Sequence, residues 1–253
     1  MEFVSLLNTP PIRRIREFGA LRLLRRLHRV THRLPVQLRP VERKRILVVA
    51  PHMDDDVIGP GGTLALHRRL GSEISVVFCA GGASPEDDRT RKEESRQAAA
   101  YMGFERVEWL DFPTGAMALH EPGIGARLAE LLRDIAPDQV FCPFVSDHHR
   151  DHTAAAMGVA EALTLTGWSG DVWCYEIWSP LWPNVAVDIT DVVDVKRHAI
   201  DLYASQVKGL HYTDGALGLN RYRALRVYVP YAEAFYVANA AQFVKISRQM
   251  NTV

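Results

Sequence analysis

Two apolar runs, 46–50 and 139–144, each break abruptly into histidines and aspartates and then into a helical pattern. After Ile46-Leu47-Val48-Val49-Ala50 come Pro51-His52-Met53-Asp54-Asp55-Asp56 and the glycine-rich Gly59-Pro60-Gly61-Gly62. After Gln139-Val140-Phe141-Cys142-Pro143-Phe144 come Asp147-His148-His149-Arg150-Asp151-His152 and the helix-forming Thr153-Ala154-Ala155-Ala156-Met157. Short apolar runs of this kind read as strands buried on both faces of a parallel sheet. Parallel neighbours need crossover connections, usually helical. Both charged clusters then leave the same carboxyl edge of the sheet, where open α/β folds place their ligands.

The rest of the chain repeats the pattern. Strands are expected at about 45–50, 73–79, 106–111, 138–144, 171–178, 185–189 and 226–229. Helices are expected near 61–70, 88–102, 123–135, 152–165 and 191–205. Such alternation predicts a Rossmann-like, doubly wound α/β fold, its mostly parallel sheet covered by helices on both faces. Residues 207–231, with Gly209, Gly215 and Gly218, read as a loop-rich cover over the pocket.

Three adjacent aspartates at one strand end repel one another unless a cation neutralises them, and the histidine beside them is a further metal donor. A solvated acidic loop is the alternative for the first cluster taken alone. The second cluster shifts the balance, because His149 and His152 are three apart at a helix start and can reach one site. One histidine and one aspartate from the first loop, with one histidine from the second, form a donor set suited to catalytic zinc.

These residues resemble the PIG-L/LmbE-like zinc-dependent de-N-acetylases. That family carries an (A/P)HPDDE loop after its first strand and a later HxDH loop, here Pro51–Asp56 and His149-Arg150-Asp151-His152. Further matches follow in order: Arg91, Glu94 and Ala98 with Met102-Gly103; Asp111 after Val107–Leu110; and Asp188-Ile189-Thr190. Lys196, Ala199-Ile200, Tyr203, Ser205-Gln206 and Ala232-Glu233-Ala234-Phe235 complete the series, so the likeness spans about 45–240. Met53 stands for the usual proline and Asp56 for the usual glutamate.

The resemblance implies that His52, Asp55 and His152 bind Zn²⁺ and that Asp54 is the general base. It implies that His149 stabilises the oxyanion as a protonated imidazole oriented by Asp151, with His148 an ordinary loop histidine. Arg91 is expected to reach substrate hydroxyls, or else to lie on a solvated helix face. Asp111 is expected to touch the sugar, or to serve a structural hydrogen bond. Gly61 and Gly62 lack the G-x-G-x-x-G context of a dinucleotide site and read as room for the backbone to turn near the metal. Trp168, Trp173, Trp178 and Trp182 are either core or a sugar-stacking platform.

The expected activity is removal of the N-acetyl group from an N-acetylglucosamine-type sugar in a glycoconjugate. The rivals are an amidase of a thiol conjugate or antibiotic precursor at the same site, and a non-catalytic sugar-binding protein. Thirty Lys and Arg balance thirty Asp and Glu, which argues against a nucleic-acid partner. Cys79, Cys142 and Cys174 sit in apolar runs and read as free thiols of a reducing compartment, so a cytoplasmic location is expected. Residues 1–44 form a basic extension ahead of a catalytic domain at 45–253. Within it, residues 10–33 carry eight arginines on a helical apolar pattern, suited to peripheral contact with a membrane holding a lipid-linked sugar, or to packing on the domain.

Overall fold

A computed structural model describes residues 36–209 and 211–250. The basic helix expected at 10–33 lies outside them. Eight strands form one sheet: β1 Gln37–Leu38, β2 Arg45–Ala50, β3 Glu73–Ala80, β4 Arg106–Phe112, β5 Gln139–Pro143, β6 Asp171–Tyr175, β7 Val185–Asp188 and β8 Ala232–Asn239. Their order is β1-β7-β8-β6-β5-β2-β3-β4. Strands β4, β3, β2, β5 and β6 run parallel. Strand β8 is antiparallel to both β6 and β7. The sheet already includes Gln37–Leu38, paired with Val185 and Ala186, so the folded unit takes in part of the expected extension.

The helices are α1 Asp55–Ile58, α2 Gly61–Arg69, α3 Pro85–Met102, α4 Glu121–Ile135, α5 Arg150–Thr166, α6 Val193–Asp201, α7 Ala204–Val207, α8 Tyr212–Ala224 and α9 Ala240–Met250. Alternation along β2 splits its side chains between two cores. Leu47 and Val49 face one that includes Ile124 and Leu128 of α4 and Ala155 and Val159 of α5. Ile46, Val48 and Ala50 face another that includes Leu64 of α2, Ala98 of α3 and Ile200 of α6. Helices therefore cover both faces, which is why the central strands are apolar throughout.

The chain winds outward from β2 through β3 to β4, then returns to the other side of β2 with β5 and β6. The order reverses between β2 and β5, which pair directly through Ile46–Gln139, Leu47–Val140 and Val48–Phe141. A crevice opens at such a switch point beyond the strand ends. Both histidine-aspartate loops emerge there.

Two expectations need correction. Residues 226–229 form turns rather than a strand, and the strand that follows is β8. The cover at 207–231 contains a thirteen-residue helix, α8. Its buried residues, Leu217, Asn220, Arg223 and Ala224, recur at helical spacing, while Gly215 and Gly218 occupy exposed positions that cost the packing nothing.

Candidate metal centre

The loop after β2 turns through an unusual backbone. Asp54 has φ 144° and ψ −25°, a strained conformation for a residue with a side chain. Such a conformation costs about 1–3 kcal/mol and persists only where the surroundings impose it. The backbone N–H groups of Val57 and Ile58 close on the carbonyl of Asp54 at 3.1 and 3.0 Å, starting α1. The Asp55 carboxylate turns back to accept the His52 N–H at 2.9 Å.

Three donor atoms converge at the loop's end. Nδ1 of His52 lies 3.3 Å from Oδ2 of Asp55 and 3.3 Å from Nε2 of His152, and that Nε2 lies 3.2 Å from the same Asp55 oxygen. Zinc bound by such ligands at about 2.0–2.1 Å sets the edges of a tetrahedron near 3.3 Å. The triangle therefore has the size of one tetrahedral face. A looser set replaces Asp55 by His149, with one atom from each of His52, His149 and His152 inside 4.8 Å. The atoms of the tighter set can share one ion without rearrangement.

Protonation geometry agrees with this choice. Nε2 of His52 donates to Oδ2 of Asp151 at 3.1 Å, which leaves the Nδ1 lone pair for the cluster. The same carboxylate accepts N–H groups from Gly115 at 2.6 Å and Met117 at 3.2 Å, and so is itself held. On the far side of His152, Oδ1 of Asp147 stands 3.5 Å from Nδ1, an ion-pair distance too long for a good hydrogen bond. Carboxylates behind both rings fix their orientation and raise their basicity. Burial opposes charging either ring, but Asp151 and Asp55 outweigh it at His52, pushing its pKa up to about 9. Asp55 and Asp147 do the same at His152, to about 10.

Asp54 lines the cavity over this cluster, and its carboxylate accepts no hydrogen bond among the described residues. Burial and then the charge of Asp55 push its pKa well above the usual carboxylate range. Asp56 points the other way. Its Oδ1 accepts from the Tyr203 hydroxyl at 3.0 Å, while its buried Oδ2 has no hydrogen-bond partner among the described residues. Burial drives the Asp56 pKa up to about 7 against the help of Tyr203. Crowding three buried carboxylates into consecutive positions suits a divalent cation beside them.

His149 differs from its expected state. Its Nδ1 accepts the backbone N–H of Asp151 at 3.2 Å, capping α5. An accepting Nδ1 cannot carry a proton, and burial with the nearby His52 and His152 lowers the pKa. The ring is thus a neutral Nε2–H donor, not an imidazolium. The Asp151 carboxylate, expected to orient His149, engages His52 instead. His148 stays out of the cluster, where its backbone N–H donates to Ser179.

The cavity above the cluster has a volume of about 200 Å³. Arg91, Thr114, Ile177, Trp178, Gln206 and Tyr212 complete its walls with His52, Asp54, Asp55 and His149. Arg91 reaches it while its Nε donates to Asp87 at 2.9 Å. Asp111 does not line it; its carboxylate pairs with Lys92 at 2.6 Å. Of the expected tryptophan platform only Trp178 borders the cavity, with half its surface exposed. Trp173 is core, and Trp168 donates its indole N–H to the Pro137 carbonyl. Asp147 was given no role from the sequence. Its two oxygens accept the N–H groups of His149 at 3.0 Å and Trp178 at 3.2 Å, tying the histidine loop to the cavity wall.

Comparison with known proteins places this site in context. Residues 47–163 match the family model described as PIG-L, GlcNAc-PI de-N-acetylase. The solved structure of a conserved protein, TT1542, from Thermus thermophilus is 31% identical, with a TM-score of 0.69 over 76% of this chain and 94% of that one. The chain belongs to the PIG-L family.

A diacetylchitobiose deacetylase of Thermococcus kodakarensis is 24% identical over 188 residues, 64% of this chain and 70% of that protein. The solved 4-carboxy-2-hydroxymuconate hydratase of Pseudomonas putida KT2440 is 25% identical, with a TM-score of 0.66 over 77% of this chain and 96% of that one. The scaffold thus also supports water addition, and the reaction must be argued from the site.

Several PIG-L motif positions prove to be supports. Glu94 accepts the backbone N–H and the hydroxyl of Ser205 at 2.7 and 2.6 Å, fastening α3 to α7. Lys196 and Glu233 form a buried pair at 2.6 Å. Glu233 also accepts the N–H groups of Gly62 and Thr63, both at 2.7 Å, so the chain's own carboxylate fills the start of α2. A Cβ on Gly62 would lie 2.8 Å from Ile189, so Gly62 serves close packing and not the metal loop. Met53, in place of proline, is buried in the core beneath α1.

Proposed function

We propose that this chain is a zinc-dependent hydrolase that removes the N-acetyl group from an N-acetylglucosamine-type sugar within a glycoconjugate. The observation that carries the reading is the convergence of His52 Nδ1, Asp55 Oδ2 and His152 Nε2 beside the carboxylate of Asp54, which lines the same cavity. His52, Asp55 and His152 would hold the ion, which when bound supplies Lewis acidity and a readily deprotonated water.

The protein's own groups do the rest. Asp54 takes a proton from the attacking water as its oxygen bonds to the amide carbon, then delivers a proton to the departing nitrogen. The carbon–nitrogen bond breaks, leaving acetate and the free amine. Nε2–H of His149 donates to the oxygen that gains charge from the carbonyl. Trp178 and Tyr212, packed edge to face at 5.9 Å, flank the opening with faces suited to a sugar ring. Arg91, anchored by Asp87, offers its remaining donors to hydroxyls.

The test is acetate release from a panel of N-acetylglucosaminides by zinc-loaded protein, with Asp54→Asn as control. Release that vanishes in the variant supports the reading. Metal-loaded protein that releases no acetate from any member would sink it, and a hydratase would give that result.

A further inference from the structure

A second cavity lies beside the one that holds the chemistry. It has a volume of about 360 Å³ and lies beneath α8, between that helix and the residues following β6. Ile58, Ile177, Trp178 and Tyr212 belong to the walls of both cavities, so they adjoin. The second cavity adds Ala216 and Leu219 to this surface, and its lining is mostly apolar. It is within the range of small-molecule sites.

Its polar groups divide into two kinds. Glu176 and Glu233 are already satisfied, by Arg223 and Leu181 in one case and by Lys196 and the start of α2 in the other. Asn220 is not. Only 5% of its surface is exposed, and its buried Oδ1 accepts no hydrogen bond among the described residues. A buried unpaired amide on an apolar wall weakens a fold unless something else satisfies it.

We infer that the substrate carries an apolar group that passes Trp178 and Tyr212 into the α8 cavity, with a hydrogen-bond donor beside it that reaches Oδ1 of Asn220. The inference rests on the catalytic reading above and adds the chemical class of the substrate: an amino sugar bearing a hydrocarbon chain. That chain is attached either through the glycosidic oxygen or through the acyl group that is removed. The two sources share the same chemistry in the cavity and are separated by the test.

Zinc-loaded full-length protein is assayed with methyl N-acetylglucosaminide, hexyl N-acetylglucosaminide and methyl N-hexanoylglucosaminide. Expected is a kcat/KM for one hexyl compound at least about tenfold above the methyl parent, since added methylenes in an apolar pocket give gains of that order. Ala216→Trp, which fills the cavity, should erase that advantage. Should this variant fail to fold, Gly215→Leu replaces it, because Gly215 sits at the rim of the cavity wall and its Cβ position has nothing within 4 Å to clash with. The hexyl compound that gains identifies the side of the substrate that carries the chain. Equal rates for all three, or an advantage that survives the filled cavity, would overturn the inference.

Should no compound turn over, the catalytic reading fails and binding decides the cavity alone. Titration of hexyl glucoside, followed by tryptophan fluorescence, should then saturate in the native protein and not in Ala216→Trp. No binding to the native protein would overturn the inference in that case.

Discussion

Oδ2 of Asp151 and Nε2 of His52, ninety-nine positions apart in sequence, meet at 3.1 Å. The contact holds His52 with Nδ1 toward Asp55 and His152, and it joins the two loops of the site directly. Asp151→Asn keeps the shape but can present an N–H where an acceptor is needed. It should weaken zinc binding by about 10- to 100-fold, as loss of an orienting carboxylate does at other metal sites. Competition with a colorimetric chelator measures this, and unchanged affinity would remove Asp151 from its positioning role.

Asp54 carries the proton in the proposed reaction without holding the metal. Asp54→Asn should retain one zinc per chain while turnover falls by about 10²–10⁴-fold. Loss of zinc together with activity would move Asp54 into the ligand set.

In the proposed reaction His149 has a second job besides capping α5, and substitution can separate the two. His149→Ala loses both the helix cap and the Nε2–H donor, costing about 0.5–2 kcal/mol of stability and about 10²–10³-fold in kcat. Asparagine is a good cap residue, so His149→Asn should recover stability more than turnover. Thermal unfolding and steady-state kinetics on both variants check the split.

The Lys196–Glu233 pair has no exposed side chain and shares its partners with Gly59, Gly62 and Thr63. Lys196→Met strands the Glu233 carboxylate and should cost about 3–5 kcal/mol in urea unfolding. Lys196→Met combined with Glu233→Gln should cost less than the single change, because no buried charge is left alone.

The sequence made the site's location legible. Runs 46–50 and 139–144 are apolar because both faces of those strands are covered, and the charged loops after them can only open on one edge. What stayed hidden depends on partners distant in the chain. Asp151 adjoins His149 and His152 in sequence, yet its carboxylate turns across the switch point to His52, and spacing carries no sign of that choice. Asp147 looked like one more member of a histidine-rich loop until its contacts with His149 and Trp178 appeared. Helix α8 was masked by Gly215 and Gly218, since propensity counts residues on the exposed side as heavily as those that pack. Glycines 61 and 62 read as room for a turn near the metal because nothing local reveals that Glu233, 171 residues onward from Gly62, fills the helix start.

The switch point also couples the candidate metal centre to the integrity of the whole sheet. His52 and His152 are separated by 100 residues, and only the pairing of β2 with β5 brings them together. In a denatured chain these donors are scattered, so zinc held as proposed would recognise the native state almost alone. By mass action, zinc at 100 times its dissociation constant should add about 2.7 kcal/mol to unfolding. Purification with strong chelators would then yield a chain that melts early, and the urea midpoint, titrated with zinc, becomes a gauge of affinity that needs no substrate.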